Sequence, residues 1–327
     1  MNSRVSSTAK VLAALLAACA FCLAQAQGAY PSKPISMFVG FAAGSATDIV
    51  ARVVGQKMSE RLGQPVVIQN LTGAASTLAT AAVARAVPDG YTLMTVSGAL
   101  AIGPAIYSNL KFDVEKDLTP IGLVGSLPTV LLVGESIPPR TFSEFVDYAK
   151  QRPGQLNYGS SGNGGSTHLS AELLSQLVGI KMTHVPYRGN SPAAAALMAG
   201  EVQVLMDTVL LASQSVKTQR VRALAVTGKT RSPVLPDVPT FAEVGLPNFD
   251  ASIFFGLMGP AQLPKDVLET LNKALNEVLK DPSVRTTLTT NGGLQLSGGT
   301  PEQMGQLVHE EVVKWKKLAQ QAGIKGE

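Results

Sequence analysis

The sequence predicts an α/β protein made of βα units around parallel-rich sheets. Three observations carry that prediction. Short apolar, strand-like runs alternate along the chain with segments of helical periodicity. Small-residue loops sit where each strand hands over to its helix. Of the 327 residues, 45% are hydrophobic and 15% are charged, which is apolar material enough for a large core and too little charge for a disordered chain. The length allows one large domain or two ordinary ones.

The first 26 residues stand apart and read as a secretory signal peptide. Arg4 and Lys10 form a positive start, residues 11–24 are apolar but too short to span a bilayer, and Ala24-Gln25-Ala26 is a small-x-small cleavage site. A rival reading makes Leu16-Ala17-Ala18-Cys19 a lipoprotein box acylated at Cys19. The apolar run continues through Phe21 and Leu23, so cleavage near Ala26 is the expectation. Cys19 and Cys22 are the only cysteines, so the mature chain has no disulfides and relies on its core. The remainder carries no second apolar stretch of spanning length. An exported, soluble, periplasmic protein is expected.

Strand 35–41 leads through the loop 42–48 into a helix at 49–62. Strand 65–69 leads through 72–76 into an Ala-rich helix at 77–86. Pro88-Asp89-Gly90 turns the chain into strand 91–97. The rhythm restarts with strand 130–133, helix 142–151, strand 157–160 and helix 168–177. Strand 184–187, a helix at 192–199, and strands 202–206, 221–227 and 253–258 follow. Lys265 opens an amphipathic helix with Val267, Leu268, Leu271, Leu275 and Leu279 on one face. Thr300-Pro301-Glu302-Gln303 is a capping box with Pro at its first helical position, and it opens a helix to about Gln321.

Two βα units share one grammar: FVGFAAGSATDIV at 38–50 and LNYGSSGNGGSTHLS at 156–170. Each is a strand, a small Gly/Ser loop and then a helix. Each aims a helix N-terminus at the carboxyl edge of a parallel sheet, where α/β ligands bind. Aligned N–H donors and the helix dipole suit a carboxylate as well as a phosphate. Nucleotide chemistry is disfavoured: Gly162 to Thr167 lacks the Gly-Lys-Ser/Thr ending, and Thr167 stands where G-x-G-x-x-G needs its third glycine. The formal charge of +4, with no long Lys/Arg run and a single Trp, argues against nucleic acid. His168, His184 and His309 are the only histidines and no two are four apart, so neither a metal nor another cofactor is expected. A Ser/His hydrolase would draw on Ser160, Ser161 and His168 with Asp48 or Asp207 as acid, but no G-x-S-x-G supports it. Asp48 reads equally as a first-turn carboxylate favoured by the dipole and as a cleft residue. Asp207, after strand 202–206, is better placed to face a cleft; Tyr187 and Arg188 could supply a further donor, with a solvated surface role the stronger reading for Arg188.

FAAGSATDIVAR, GAASTLATAAVARAVPDGYTLM, IGPAIYSNL, KDLTPIG, NYGSSGNGGSTHLSAELL, HVPYRG, PDVPTFAEVGLP and GLMGPAQLP occur in this order. Together they resemble the Bug receptors, the periplasmic solute-binding proteins of tripartite tricarboxylate transporters, over residues 30–322. The resemblance implies a type II, Venus-flytrap periplasmic binding protein: two α/β domains, a hinge, and closure on a ligand without chemistry. Domain one would comprise 27–128 and 255–327, and domain two 129–254. Ligands would be small organic acids such as citrate, dicarboxylates, acidic amino acids, nicotinate or aromatic acids. Partners would be the transporter's membrane subunits, with the receptor itself a monomer. Carried over, the first loop supplies Phe41, Ala43, Gly44, Ser45, Thr47 and Asp48, joined by Ala75 and Ser97. The second supplies Ser160, Ser161, Gly162, Gly164, Thr167 and His168, with Tyr187 and Asp207 as further wall. Ser45, Ala75 and Ser76 stand where the family has glycines, and Phe254 or Phe255 where it often has Trp. The rival role for the same fold is a ligand-dependent partner of a sensor protein.

Overall fold

The computed structural model describes residues 30–107 and 109–324. The expected signal peptide, its cleavage site and both cysteines lie outside the described residues. Among the described residues no helix is long and apolar enough to cross a membrane.

The first half of the chain builds a sheet from β1 (Ile35–Val39), β2 (Val66–Asn70) and β3 (Thr92–Ser97). β1 pairs in parallel with both of the others. Helices α1 (Ala46–Leu62), α2 (Thr77–Ala84) and α3 (Ala99–Ile106) follow the three strands in turn. α1 starts where the Ser45 hydroxyl accepts from the Asp48 amide. It stops where Gly63 takes a left-handed φ of 67° and returns its N–H to Ser59. β4 (Leu118–Leu127) then joins the same sheet and runs straight into β5 (Thr129–Gly134) of a second one.

The second sheet repeats the first. β6 (Asn157–Ser160), β7 (Thr183–Pro186) and β8 (Val204–Thr208) follow α4 (Phe142–Lys150), and they alternate with α5 (Ser166–Val178), α6 (Asn190–Ala199) and α7 (Val209–Lys217). The parallel triple β7-β6-β8 has the order of β2-β1-β3. β9 (Val221–Val226) closes this sheet against β5. The chain returns through β10 (Ile253–Pro260), which lies between β4 and β3 and is antiparallel to both. The short β11 (Gln295–Leu296) pairs with β4. The final strand orders are β11-β4-β10-β3-β1-β2 and β7-β6-β8-β5-β9. Each sheet is therefore mixed, with its parallel triple completed by antiparallel strands.

The C-terminal helices cover the first sheet. α8 (Lys265–Val278) buries Val267, Leu271, Ala274, Leu275 and Val278, the face that the periodicity indicates. A short α9 (Pro282–Arg285) precedes α10 (Pro301–Ala322), which opens with the capping box of Thr300 and Gln303 and buries Met304, Val308, Val312 and Trp315 against α3 and β4. The periodic pattern does not show α3, because Leu100 to Gly103 and Ile106 are buried on all sides and Pro104 sits inside it. It does not show β4 either, because Pro120, Gly122 and Gly125 break a strand pattern. Pro120 falls at a register shift, where a missing N–H is absorbed, and a Cβ on Gly125 would lie 2.3 Å from the Gln295 carbonyl oxygen.

The two links between the sheets are tied together by hydroxyls. Thr129 begins β5 just after the first link, and Thr227 and Ser252 bracket the second. Thr227 Oγ1 accepts from the Thr129 amide at 2.8 Å and lies 2.9 Å from Ser252 Oγ. Thr129 and Thr227 are both fully buried. Thr227→Val keeps the shape but orphans the Thr129 N–H, so it is expected to cost about 1–3 kcal/mol in urea denaturation. A loss below a few tenths would show that this cluster does not hold the links.

Candidate functional site

A cleft of about 630 Å3 lies between the carboxyl edges of the two parallel triples. That volume is in the usual range of small-molecule sites, roughly 300–1,000 Å3. Its walls contain the starts of five helices: Ala46 and Thr47 of α1, Ala99 of α3, Ser166 of α5, Asn190 of α6, and Thr208 ahead of α7. Four of these helices, α3, α5, α6 and α7, have no side-chain cap. Their first-turn amides belong to the groups that a helix leaves without internal acceptors. Among the described residues that line the cleft there is no Asp, Glu, Lys, Arg or His. Within the wall itself, positive potential comes from peptide dipoles.

Of the candidates from sequence, Phe41, Gly44, Ser45, Thr47, Ala75, Ser97, Ser161, Gly162 and Gly164 line the cleft. Ala43, Asp48, Ser160, Thr167, His168, Tyr187 and Asp207 do not, and most of these support the loops from behind. Asp48 is turned inward. Its carboxylate accepts from the Gly44 amide at 2.9 Å, from Arg52 Nε and Nη2 at 2.8 and 3.0 Å, and from Asn70 Nδ2 at 2.8 Å. Burial pushes its pKa up, but hydrogen bonds from Arg52, Gly44 and Asn70, together with the Arg52 charge, outweigh that and hold it down to about 2. Gly44 supplies the left-handed turn, with φ 82°, and Ser45 is free to serve as the helix cap in place of a glycine.

The second small loop of the first half behaves differently. Ala75 and Ser76 keep left-handed φ values of 51° and 75° despite carrying Cβ atoms. This conformation costs roughly 1–2 kcal/mol per non-glycine residue. Ser76 fits only because Gly40 faces it, since a Cβ there would lie 1.9 Å from Ser76 Oγ.

Loop 160–168 is braced by side chains. Thr167 Oγ1 accepts from the Ser161 amide at 2.8 Å and meets Ser161 Oγ at 2.9 Å. His168 Nδ1 accepts from the Gly164 amide at 3.0 Å. Its ring stacks on His184, with centroids 3.8 Å apart, and His184 stacks on Tyr158 at 5.0 Å. Tyr158 in turn donates to Glu172. Burial, and then the neighbouring His184, lowers the His168 pKa to about 4; burial lowers that of His184. His184 Nε2 lies 2.6 Å from Ser160 Oγ, a Ser/His pair that sequence distance concealed. Ser160 is fully buried and presents no hydroxyl to the cleft.

Tyr187 turns toward Glu201, with its hydroxyl 3.4 Å from the carboxylate. Arg188 is exposed. Asp207 is fully buried behind Asn190 and Thr208. Its Oδ1 accepts from Asn190 Nδ2 and from the Thr208 amide, and its Oδ2 has no hydrogen-bond partner among the described residues. Burial raises its pKa to about 6 against the pull of those two donors.

The sequence reading passed over Ile49, Ile102, Ile106, Tyr107, Asn190, Ser191, Thr208, Leu210, Leu211 and Ile253 in the wall. Thr208 and Asn190 carry a signal that could have found them: each stands at the start of a helix that follows a parallel strand, as Ser45 and Ser166 do. Apart from Ile49 of α1, the apolar residues carry none, because they come from α3 and its end, α7 and β10, whose positions depend on the assembled sheets.

A two-sheet α/β molecule with helix N-termini gathered in the cleft between its sheets has the fold of the periplasmic solute-binding proteins. The chain belongs to the receptor family of the tripartite tricarboxylate transporters: the model described as "TctC: Tripartite tricarboxylate transporter family receptor" matches residues 50–324. BugT of Bordetella pertussis is 32% identical over 298 residues, 90% of this chain and 91% of that protein. A solved R. palustris protein with adipate is 32% identical, with a TM-score of 0.78, covering 90% of this chain and 99% of its own. MatC from Rhodopseudomonas palustris with bound malate is 35% identical, with a TM-score of 0.75, covering 88% and 99%.

Two outcomes are expected for the braces. Asp48→Ala removes the acceptor for four donor atoms of three residues and should lower stability by about 1–3 kcal/mol in chemical denaturation; an unchanged midpoint would exclude it as the loop anchor. His168 has a folded pKa below its unfolded value, so protonation of the unfolded state removes stability as pH falls from about 6.5 toward 4. Asp207, with a raised pKa, acts with the opposite sign between about 6 and 4 and is common to both proteins compared. His168→Asn keeps an acceptor for Gly164 without the titration. The melting-temperature advantage of wild type over this variant should therefore shrink from pH 7 to pH 4.5, and a constant difference would refute the role.

Proposed function

We propose that the protein is a periplasmic receptor that captures a small organic acid in this cleft and delivers it to the membrane subunits of a tripartite tricarboxylate-type transporter. The observation that carries the reading is the convergence of helix N-termini from both sheets on one cleft with no charged side chain in its wall. Such donors favour an anion, and the described wall holds no histidine, carboxylate or amine to activate its hydroxyls as nucleophiles. Malate and adipate, held by related proteins, are ligands of the same chemistry.

The carboxylate sits between loops 41–48 and 160–168. Ser45, Thr47, Ser161 and Ser166 provide hydroxyls, and Gly44, Gly162 and Gly164 permit close approach of the backbone. The half formed by 27–128 and 255–327 closes on the half formed by 129–254 about the links at Thr129 and Thr227. Ligand drives closure because it touches both halves only when they are closed, and a ligand shifts an equilibrium only by its differential affinity. The chain is exported with cleavage near Ala26 and acts as a monomer.

A thermal-shift screen of the purified protein against mono-, di- and tricarboxylates, acidic amino acids and aromatic acids tests this. A ligand at about 100 times its Kd adds about 2.7 kcal/mol, and one or two acids should raise the melting temperature by several degrees. A flat panel with folded protein would overturn the acid-receptor reading.

A further inference from the structure

The cleft is polar where α1 and α5 begin; on its other sides an apolar patch stands beside Ser97, Tyr107, Asn190, Ser191 and Thr208. The second turnings of its wall are built from Ile102, Leu210, Leu211 and Ile253. Ile49 and Leu211, from opposite halves, are 40% and 38% exposed and are among the few large hydrophobic side chains so presented. Exposed apolar side chains gathered at a binding cleft mark a surface that waits for an apolar partner.

The other helix starts offer poor seats for a second carboxylate. At α6 and α7 the Thr208 amide and the Asn190 side-chain amide already donate to Asp207, a buried group of the ligand's own sign with no cation among its hydrogen-bond partners. The first turn of α7 then continues as Leu210 and Leu211. At α3 the start presents Ala99 and Ile102, beside Ile253. A charge buried against such a wall loses its water without gaining a partner.

Resting on the reading of this cleft as an organic-acid site, we propose that its ligand is a monocarboxylic acid with an apolar aliphatic or aromatic body. The single carboxylate lies at the starts of α1 and α5, and the body lies against Ile102, Leu210, Leu211 and Ile253. The selectivity against dicarboxylates resides in that apolar wall.

Matched pairs test it by isothermal titration of the purified protein: hexanoate against adipate, and benzoate against terephthalate. Within each pair the body is constant and only the second carboxylate changes. In at least one pair the monoacid should bind ten times more tightly or better. Leu211→Lys places an ammonium at the half-exposed lip and should cut that preference at least tenfold; Ile49→Lys, on the opposite half, is the second variant should the first not fold. A diacid that binds wild type as tightly as its monoacid, or a preference unchanged in a folded Lys variant, overturns the inference and leaves the receptor reading standing. If these four acids and the wider panel all fail to bind folded protein, both fall together.

Discussion

The described wall of the cleft carries no charged side chain, so recognition there has to be made of peptide groups and hydroxyls, and that constraint governs the rest of the molecule. A Lys or Arg side chain reaches its partner from many backbone positions. A backbone amide donates in one direction only, so its loop has to be fixed to a fraction of an ångström. Five helix starts reach the wall of the cleft. The two sheets bring them together, each through its own strand triple with the order of the other.

The loops are accordingly fastened from below, and each fastening uses groups kept out of the cleft. In one loop Asp48 gathers Gly44, Arg52 and Asn70. In the other the Thr167 hydroxyl and the His168 ring hold Ser161 and Gly164. The charge of Asp48 is matched by Arg52, and the histidine stack is held neutral by burial, so the fastenings add no net charge behind these two loops. Asp207 is the exception. It is buried under α6 and α7 with one oxygen lacking a hydrogen-bond partner among the described residues, and it makes that side of the cleft electrically unlike the other.

The repeating strand–loop–helix units were legible in the sequence because short apolar runs, small loops and capping residues each leave a local mark. Thr141, Thr300 and the amphipathic α8 are such marks. Elements buried on all sides leave none: α3 has no polar face to set a period, and β4 contains the proline and glycines that ordinarily end a strand. The site divides in the same way. The Gly/Ser loops announced the polar part of the wall. Ser160 and His184 meet across 24 residues of chain, and Leu210 and Ile253 meet the cleft only after two sheets are assembled, so no local pattern reports them. The inward turn of Asp48 depends on Arg52 one helical turn later and on Asn70 at the end of β2, the second of which is a tertiary fact.

The position of β10 also has a consequence for how the chain reaches this structure. The strands from β5 to β9 form their sheet from one continuous stretch of chain. The other sheet cannot be completed until residues 253–260 arrive, because β10 is the strand that joins β3 to β4. During synthesis or translocation, the flanks of β3 and β4 therefore wait while more than a hundred intervening residues pass. The continuous sheet is free to form first and hold its neighbours apart. The discontinuous one closes over long loops, the kind of non-local pairing that is intrinsically slow and exposes strand edges until it is made.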